Sequence, residues 1–297
     1  MRIGLFAQDP TVTGMVDVAR KAHERGFASL WMPQIFELDA LTALAVVASE
    51  VPGLELGTAV VPTYPRHPMM LAGQARTVQQ VAGGRFTLGI GLSHQIVIEG
   101  LLGMDFSKPV RHLREYLSIL MPLLHDETAD FRGETLTTVN LGVGVPDSTP
   151  VPVVVAALGP QLLTLAGTRT EGTVTWMTGP RTISDHVAPT IRAAAADAGR
   201  PEPRVVCALP VSVTDDPDGT REKAAQVFQA YGWLPSYKAM IDREGAAGPE
   251  DVAIIGRADE VREAIAGVFE AGATEFVAVP FDTREATIEL LVELLDE

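Results

Sequence analysis

Eight short apolar runs recur along this chain, and a segment with helical periodicity follows each of them. Runs that are apolar throughout suit strands buried on both faces, the mark of a parallel sheet covered by helices. Strands are expected at Arg2–Ala7, Phe27–Met32, Leu54–Val61, Arg85–Gly91, Val151–Ala157, Thr173–Met177, Arg204–Val213 and Glu275–Val279. Asp39 reads as a helix cap, and Gly26, Gly83-Gly84, Gly199 and Gly272 read as helix stops. Two stretches break the rhythm. Residues 127–150 are rich in turn formers and read as a hairpin-like insertion after the fourth strand; residues 231–255 read as irregular after the seventh, with room for a helix near Ser236–Glu244. At 297 residues, eight βα units suit an α/β fold of the closed (β/α)8 TIM-barrel type better than the alternative, an open Rossmann-like sheet. No Pro/Gly/Ser linker divides the chain, so one domain over 1–297 is expected.

The net charge of −15 argues against nucleic acid and anionic membrane as partners. A single cysteine, Cys207, excludes a disulfide framework and any multi-cysteine metal site. No basic-then-apolar leader and no membrane-length apolar run is present, so a cytoplasmic protein is expected.

In a barrel of this type the active site lies on the loops after the C-terminal strand ends. The fourth strand runs into GIGLSH (Gly89–His94), which lacks the third glycine of a dinucleotide fingerprint. His94 titrates near neutrality and is a candidate for passing a proton; a hydrogen-bonded loop histidine is the plainer alternative. Leu158–Gln161 (LGPQ) joins the fifth strand to a helix start whose free N–H groups and dipole favour a phosphate, and Thr178-Gly179-Pro180 offers a second such start one unit later. Arg66 and His67 are candidates for an anionic cofactor tail or for solvated loop charge. Trp31, Phe36, Tyr64, Trp176, Met177, Trp233 and Tyr237 are candidates for an apolar pocket above the barrel. There is no Ser-His-Asp arrangement, P-loop or metal-ligand spacing, so no metal is expected.

In chain order, FASLWM, LGTAVVPTYPRHPMMLAGQARTVQQVAGGRFTLGIGLSH, PVRHLREYLSILMPLL, FRGE, VVVAALGPQLLTLAG and EGTVTWMTGP together resemble the bacterial-luciferase-like superfamily over nearly the whole chain. The resemblance implies a (β/α)8 barrel with insertions after strands 4 and 7, and reactions run by FMN or by the deazaflavin coenzyme F420. The chain looks most like the F420-dependent branch. An Ala-, Val- and Arg-rich composition with the single asparagine Asn140 fits high-GC actinobacteria, where that cofactor is used. Carried over residue by residue, the resemblance implies a non-prolyl cis peptide near Ala59-Val60, running into Val61, that backs the ring. It implies that Leu92, Ser93 and His94 meet the ring, and that Ala156, Ala157, Leu158 and Gly159, leading into Pro160 and Gln161, bind the cofactor phosphate and ribityl chain. The sequence departs from the sugar-phosphate dehydrogenases of the branch. Their Asp-His pair appears here as Gln34-Ile35, their glutamate as His94, and their phosphate-binding lysine has no counterpart.

Three functions follow as expectations. The first is an F420-dependent oxidoreductase that passes hydride to or from a small neutral substrate, either reducing C=C, C=N or C=O or oxidising an alcohol. His94 would handle the proton and Gln34 would hydrogen-bond substrate or ring. The second is an FMN-dependent two-component monooxygenase. The third is an F420-binding carrier or sensor. A homodimer is expected from the resemblance.

Overall fold

The alternation of apolar runs produces a closed barrel. This computed structural model describes residues 1–295. In chain order the strands are β1 (Ile3–Phe6), β2 (Ser29–Met32), β3 (Glu55–Thr58), β4 (Val61–Pro62), β5 (Phe86–Gly91), β6 (Ala129–Arg132), β7 (Thr137–Leu141), β8 (Val153–Val155), β9 (Gly172–Trp176), β10 (Arg204–Val213), β11 (Ile254–Gly256) and β12 (Glu275–Pro280). Parallel pairing runs β1, β2, β3 with its continuation β4, β5, β8, β9, β10, β12 and back to β1, which closes eight staves. It is a TIM barrel.

Strand alternation sorts the core into two layers. Leu5, Leu30, Leu56, Leu88, Leu209 and Phe276 face the helices; Trp31, Val154, Val174, Val206, Ala208 and Val277 fill the lumen. At the N-terminal end the lumen is sealed by a polar knot. The fully buried Glu275 accepts hydrogen bonds from Ser29 Oγ (2.5 Å), Trp31 Nε1 (2.9 Å), Arg2 Nε (3.0 Å) and Arg204 Nη2 (2.9 Å). Burial alone would raise its pKa, but these donors and the two arginines hold it below the usual carboxylate range.

The insertion after β5 is a real hairpin, β6 pairing antiparallel with β7. A buried carboxylate on the helix Pro109–Leu124 pins it: Glu115 accepts from Glu134 N, Thr135 N, Leu136 N and Thr135 Oγ1. The buried Arg76 straps down the following segment through the Val143 and Val145 carbonyls.

Two local expectations need correction. The third strand is not continuous over Leu54–Val61; it breaks between β3 and β4, where Ala59-Val60 is cis. The helix expected near Ser236–Glu244 is present as Pro235–Glu244, but the rest of residues 231–255 is less irregular than expected: Pro249–Val252 is a short helix, and Ile254 opens β11, paired parallel to β10. A three-residue strand is too short to show a period. The loop after β5 also carries a π-helical turn, Ile96–Leu101, which sequence spacing does not register.

Candidate active site

At the C-terminal mouth the break in the third stave shapes the surface. Thr58 Oγ1 bridges it, donating to the Gly89 carbonyl and accepting from the Gly89 N–H, both at 2.8 Å. The glycines of GIG make room for the bulge. A Cβ on Gly89 would run into the Thr58 carbonyl, and one on Gly91 would lie 2.7 Å from Val60 Cγ2 and 3.2 Å from the Ala156 methyl. These glycines therefore serve close backbone packing rather than a phosphate turn.

The result is an apolar floor. Phe6, Ala59, Val60, Ala156 and Trp176 pack half-buried on the lumen core, with Phe6 and Trp176 stacked at 6.4 Å. Val60 and His94 lie on adjacent turns, since β4 pairs with the end of β5 (Pro62 with Gly91). Ser93 takes the left-handed conformation (φ 60°), uncommon for a residue with a Cβ, and turns the chain into His94. The half-buried His94 ring lies 5.5 Å from Tyr237, and burial lowers its pKa, so it is neutral at pH 7.

Tyr237 belongs to the helix Pro235–Glu244, part of the long insertion after β10. Its ring packs edge-on to Tyr231 at 5.1 Å, and Tyr231 packs edge-on to Trp176 at 5.7 Å. Burial pushes both tyrosine hydroxyls up in pKa, so neither ionises near neutrality. This aromatic chain reaches from the seventh unit to His94 on the fourth.

The two predicted helix starts differ. Gly159 precedes the helix Pro160–Arg169 with no side-chain cap, and a Cβ there would meet nothing within 4 Å. The Gln161 and Leu162 N–H groups have no intrahelical partner, as in any first turn. At Gly179-Pro180 the start is already filled. Glu244 accepts from Arg181 N (3.1 Å), Thr182 N (2.8 Å) and Thr182 Oγ1 (2.6 Å), so it offers no second anion site.

The remaining candidates are scattered. Gln34 Oε1 accepts from Ala40 N at 2.7 Å, so its carbonyl caps the helix Ala40–Glu50. Leu92 and Ala157 are buried, while Leu158 is half-buried and Pro160 and Gln161 are exposed. Phe36 and Trp233 stand out at 70% and 72% exposure. Met177 is fully buried with Ala224 and Phe228 and offers a substrate no surface in this conformation. Trp31 lies in the lumen. Arg66 pairs with Asp39, and His67 caps the helix Pro68–Ala82. Phe6 and Tyr231 were not anticipated. Phe6 was legible in principle, being the last inward position of the first strand; Tyr231 carried no signal. Among the described residues no group of three His, Cys, Asp or Glu side chains could hold a metal, and no helix is long and apolar enough to cross a membrane.

A family model described as luciferase-like monooxygenase matches residues 2–275. The chain is 25% identical over 276 residues to the 5,10-methylenetetrahydromethanopterin reductase of Archaeoglobus fulgidus, covering 92% of this chain and 80% of that one. It is 24% identical over 252 residues to the F420-dependent glucose-6-phosphate dehydrogenase of Amycolatopsis mediterranei, covering 80% and 74%. Its fold matches the coenzyme F420-dependent tetrahydromethanopterin reductase of Methanopyrus kandleri with a TM-score of 0.83 at 21% identity, over 98% of this chain and 97% of that one. It also matches an F420-dependent secondary alcohol dehydrogenase with a TM-score of 0.82 at 18% identity, again over 98% and 97%. With the family model spanning nearly all of its length, the chain belongs to the luciferase-like monooxygenase family of enzymes.

Proposed function

We propose that this chain is an F420-dependent oxidoreductase acting as a single domain on a small, neutral organic substrate. The observation that carries the reading is the pairing of an apolar floor with an open helix start. A flat ring fits against Ala59, Val60 and Ala156, and a phosphate fits the free N–H groups beginning at Gly159. When bound, the deazaflavin supplies the hydride chemistry. The chain's own part is to hold ring and substrate face to face, to keep water out with Trp176, Tyr231 and Tyr237, and to offer neutral His94 as proton acceptor or, once protonated, donor. Gln34, with its carbonyl engaged, has its amide N–H left for the substrate. The arginine named at the mouth, Arg66, is already paired with Asp39, and Glu244 already fills the sixth unit's helix start. Both features favour a substrate without a phosphate: an alcohol, or a C=O, C=N or C=C compound.

Fluorescence titration with purified F420 tests the reading against FMN. Tight F420 binding with weak FMN binding is expected; the reverse, together with oxygen uptake in the presence of reduced FMN, would make the protein a monooxygenase. F420 binding without turnover of alcohols, imines or enones would leave a carrier. A cytoplasmic homodimer is the expected form, and light scattering on the purified chain checks the dimer.

A further inference from the structure

His186, on the sixth unit, reaches into the fifth. It sits in the π-helical turn Ile183–Val187 of the sixth unit, and its Nε2 lies 2.8 Å from the Leu158 carbonyl oxygen. A carbonyl only accepts, so the ring must carry its proton on Nε2 and donate it. The peptide between Leu158 and Gly159 is planar and trans, which points its C=O and N–H in opposite directions. Drawing the carbonyl toward His186 therefore aims the Gly159 N–H away from that ring. No backbone acceptor takes this N–H among the described residues. Gly159 itself leaves open space where a Cβ would be.

We propose that His186 is a positioning residue for the phosphate end of the cofactor. By anchoring the Leu158 carbonyl, it adds the Gly159 N–H to the donors of Gln161 and Leu162. This rests on the reading that the Gly159 helix start takes the cofactor phosphate. His186 touches no reacting atom and works only through the peptide it orients.

The test compares two ligands on three variants. One ligand is intact F420; the other is the same deazaflavin bearing only its ribityl chain. His186→Phe keeps a ring and loses the donor, His186→Ala loses both, and His186→Gln keeps an N–H donor. His186→Phe and His186→Ala should weaken intact F420 about tenfold, the scale of one hydrogen bond to a charged group, and leave the phosphate-free ligand within about twofold. His186→Gln should recover most of the loss. In turnover, the KM for F420 should rise with kcat unchanged. Independently of the cofactor, inorganic phosphate should shift the Gly159 amide resonance in the wild type and less so in His186→Phe. Equal weakening of both ligands, or no change in either, would overturn the proposal and leave His186 a packing residue. If the wild type itself binds the two ligands alike, the phosphate reading of the helix start fails and the proposal with it.

Discussion

Two successive βα units begin their helices on the same dipeptide and acquire opposite properties. Gly159-Pro160 leaves its first-turn donors open, whereas Gly179-Pro180 has them taken by Glu244, 63 residues beyond Arg181. A helix start is only a set of donors; whether it becomes a ligand site depends on whether the chain supplies its own anion. Glu115 uses the same device elsewhere, seating its carboxylate among three backbone N–H groups of the β6–β7 hairpin.

The contrast can be broken most severely at its closed member. Glu244→Ala removes the acceptor for three donors and should cost about 3 kcal/mol of stability. Thermal unfolding should then show stabilisation by phosphate relative to chloride, beyond any seen in the wild type. A variant as stable as the wild type would mean that the carboxylate does not close this start. Next comes a matched pair. Gly179→Ala places a methyl inside the Glu244 carboxylate and should cost about 2 kcal/mol, while Gly159→Ala meets open space and should change stability by less than about 0.5 kcal/mol. Similar denaturation midpoints for the two variants would erase the distinction.

A smaller effect tests the shared device by pH. Burial would raise the Glu115 pKa, but its hydrogen bonds outweigh that and lower it from 4.5 to about 2. Its contribution is therefore complete above the ordinary glutamate range and is lost as pH falls through about 2. Melting curves between pH 5 and pH 2 should fall more steeply for the wild type than for Glu115→Gln; parallel curves would count against it. The gentlest change gives the open start its own anion. Gly159→Asp should stabilise the helix by only a few tenths of a kcal/mol, yet weaken F420 about tenfold or more by occupying the donors. Undiminished F420 affinity would exclude this start from cofactor binding.

Much of the fold was legible because its signals are local and repeated. Runs such as Val153–Val155 are apolar on both faces, and Gly26 and Gly83 stop helices where their positive φ angles are needed. The bulge at Ala59-Val60 was legible only through resemblance, since nothing in those two residues dictates a cis bond. What stayed hidden was long-range. No spacing rule links Glu244 to Thr182, Tyr237 to His94 or His186 to Leu158, because packing rather than sequence proximity brings them together. Met177 shows the opposite failure. A strand-end position suggested the mouth, but its left-handed backbone (φ 50°) turns the side chain back among Ala224 and Phe228.

The knot around Glu275 has a consequence during synthesis. Its donors come from the first, second and seventh staves, but the carboxylate itself opens the eighth. Until that residue leaves the ribosome, Arg2 and Arg204 have no common counter-ion and the Trp31 indole lacks its carboxylate acceptor. A chain stopped before the final stave would keep the Arg2–Glu55 pair but leave Arg204 without its carboxylate and the base of the barrel unsealed.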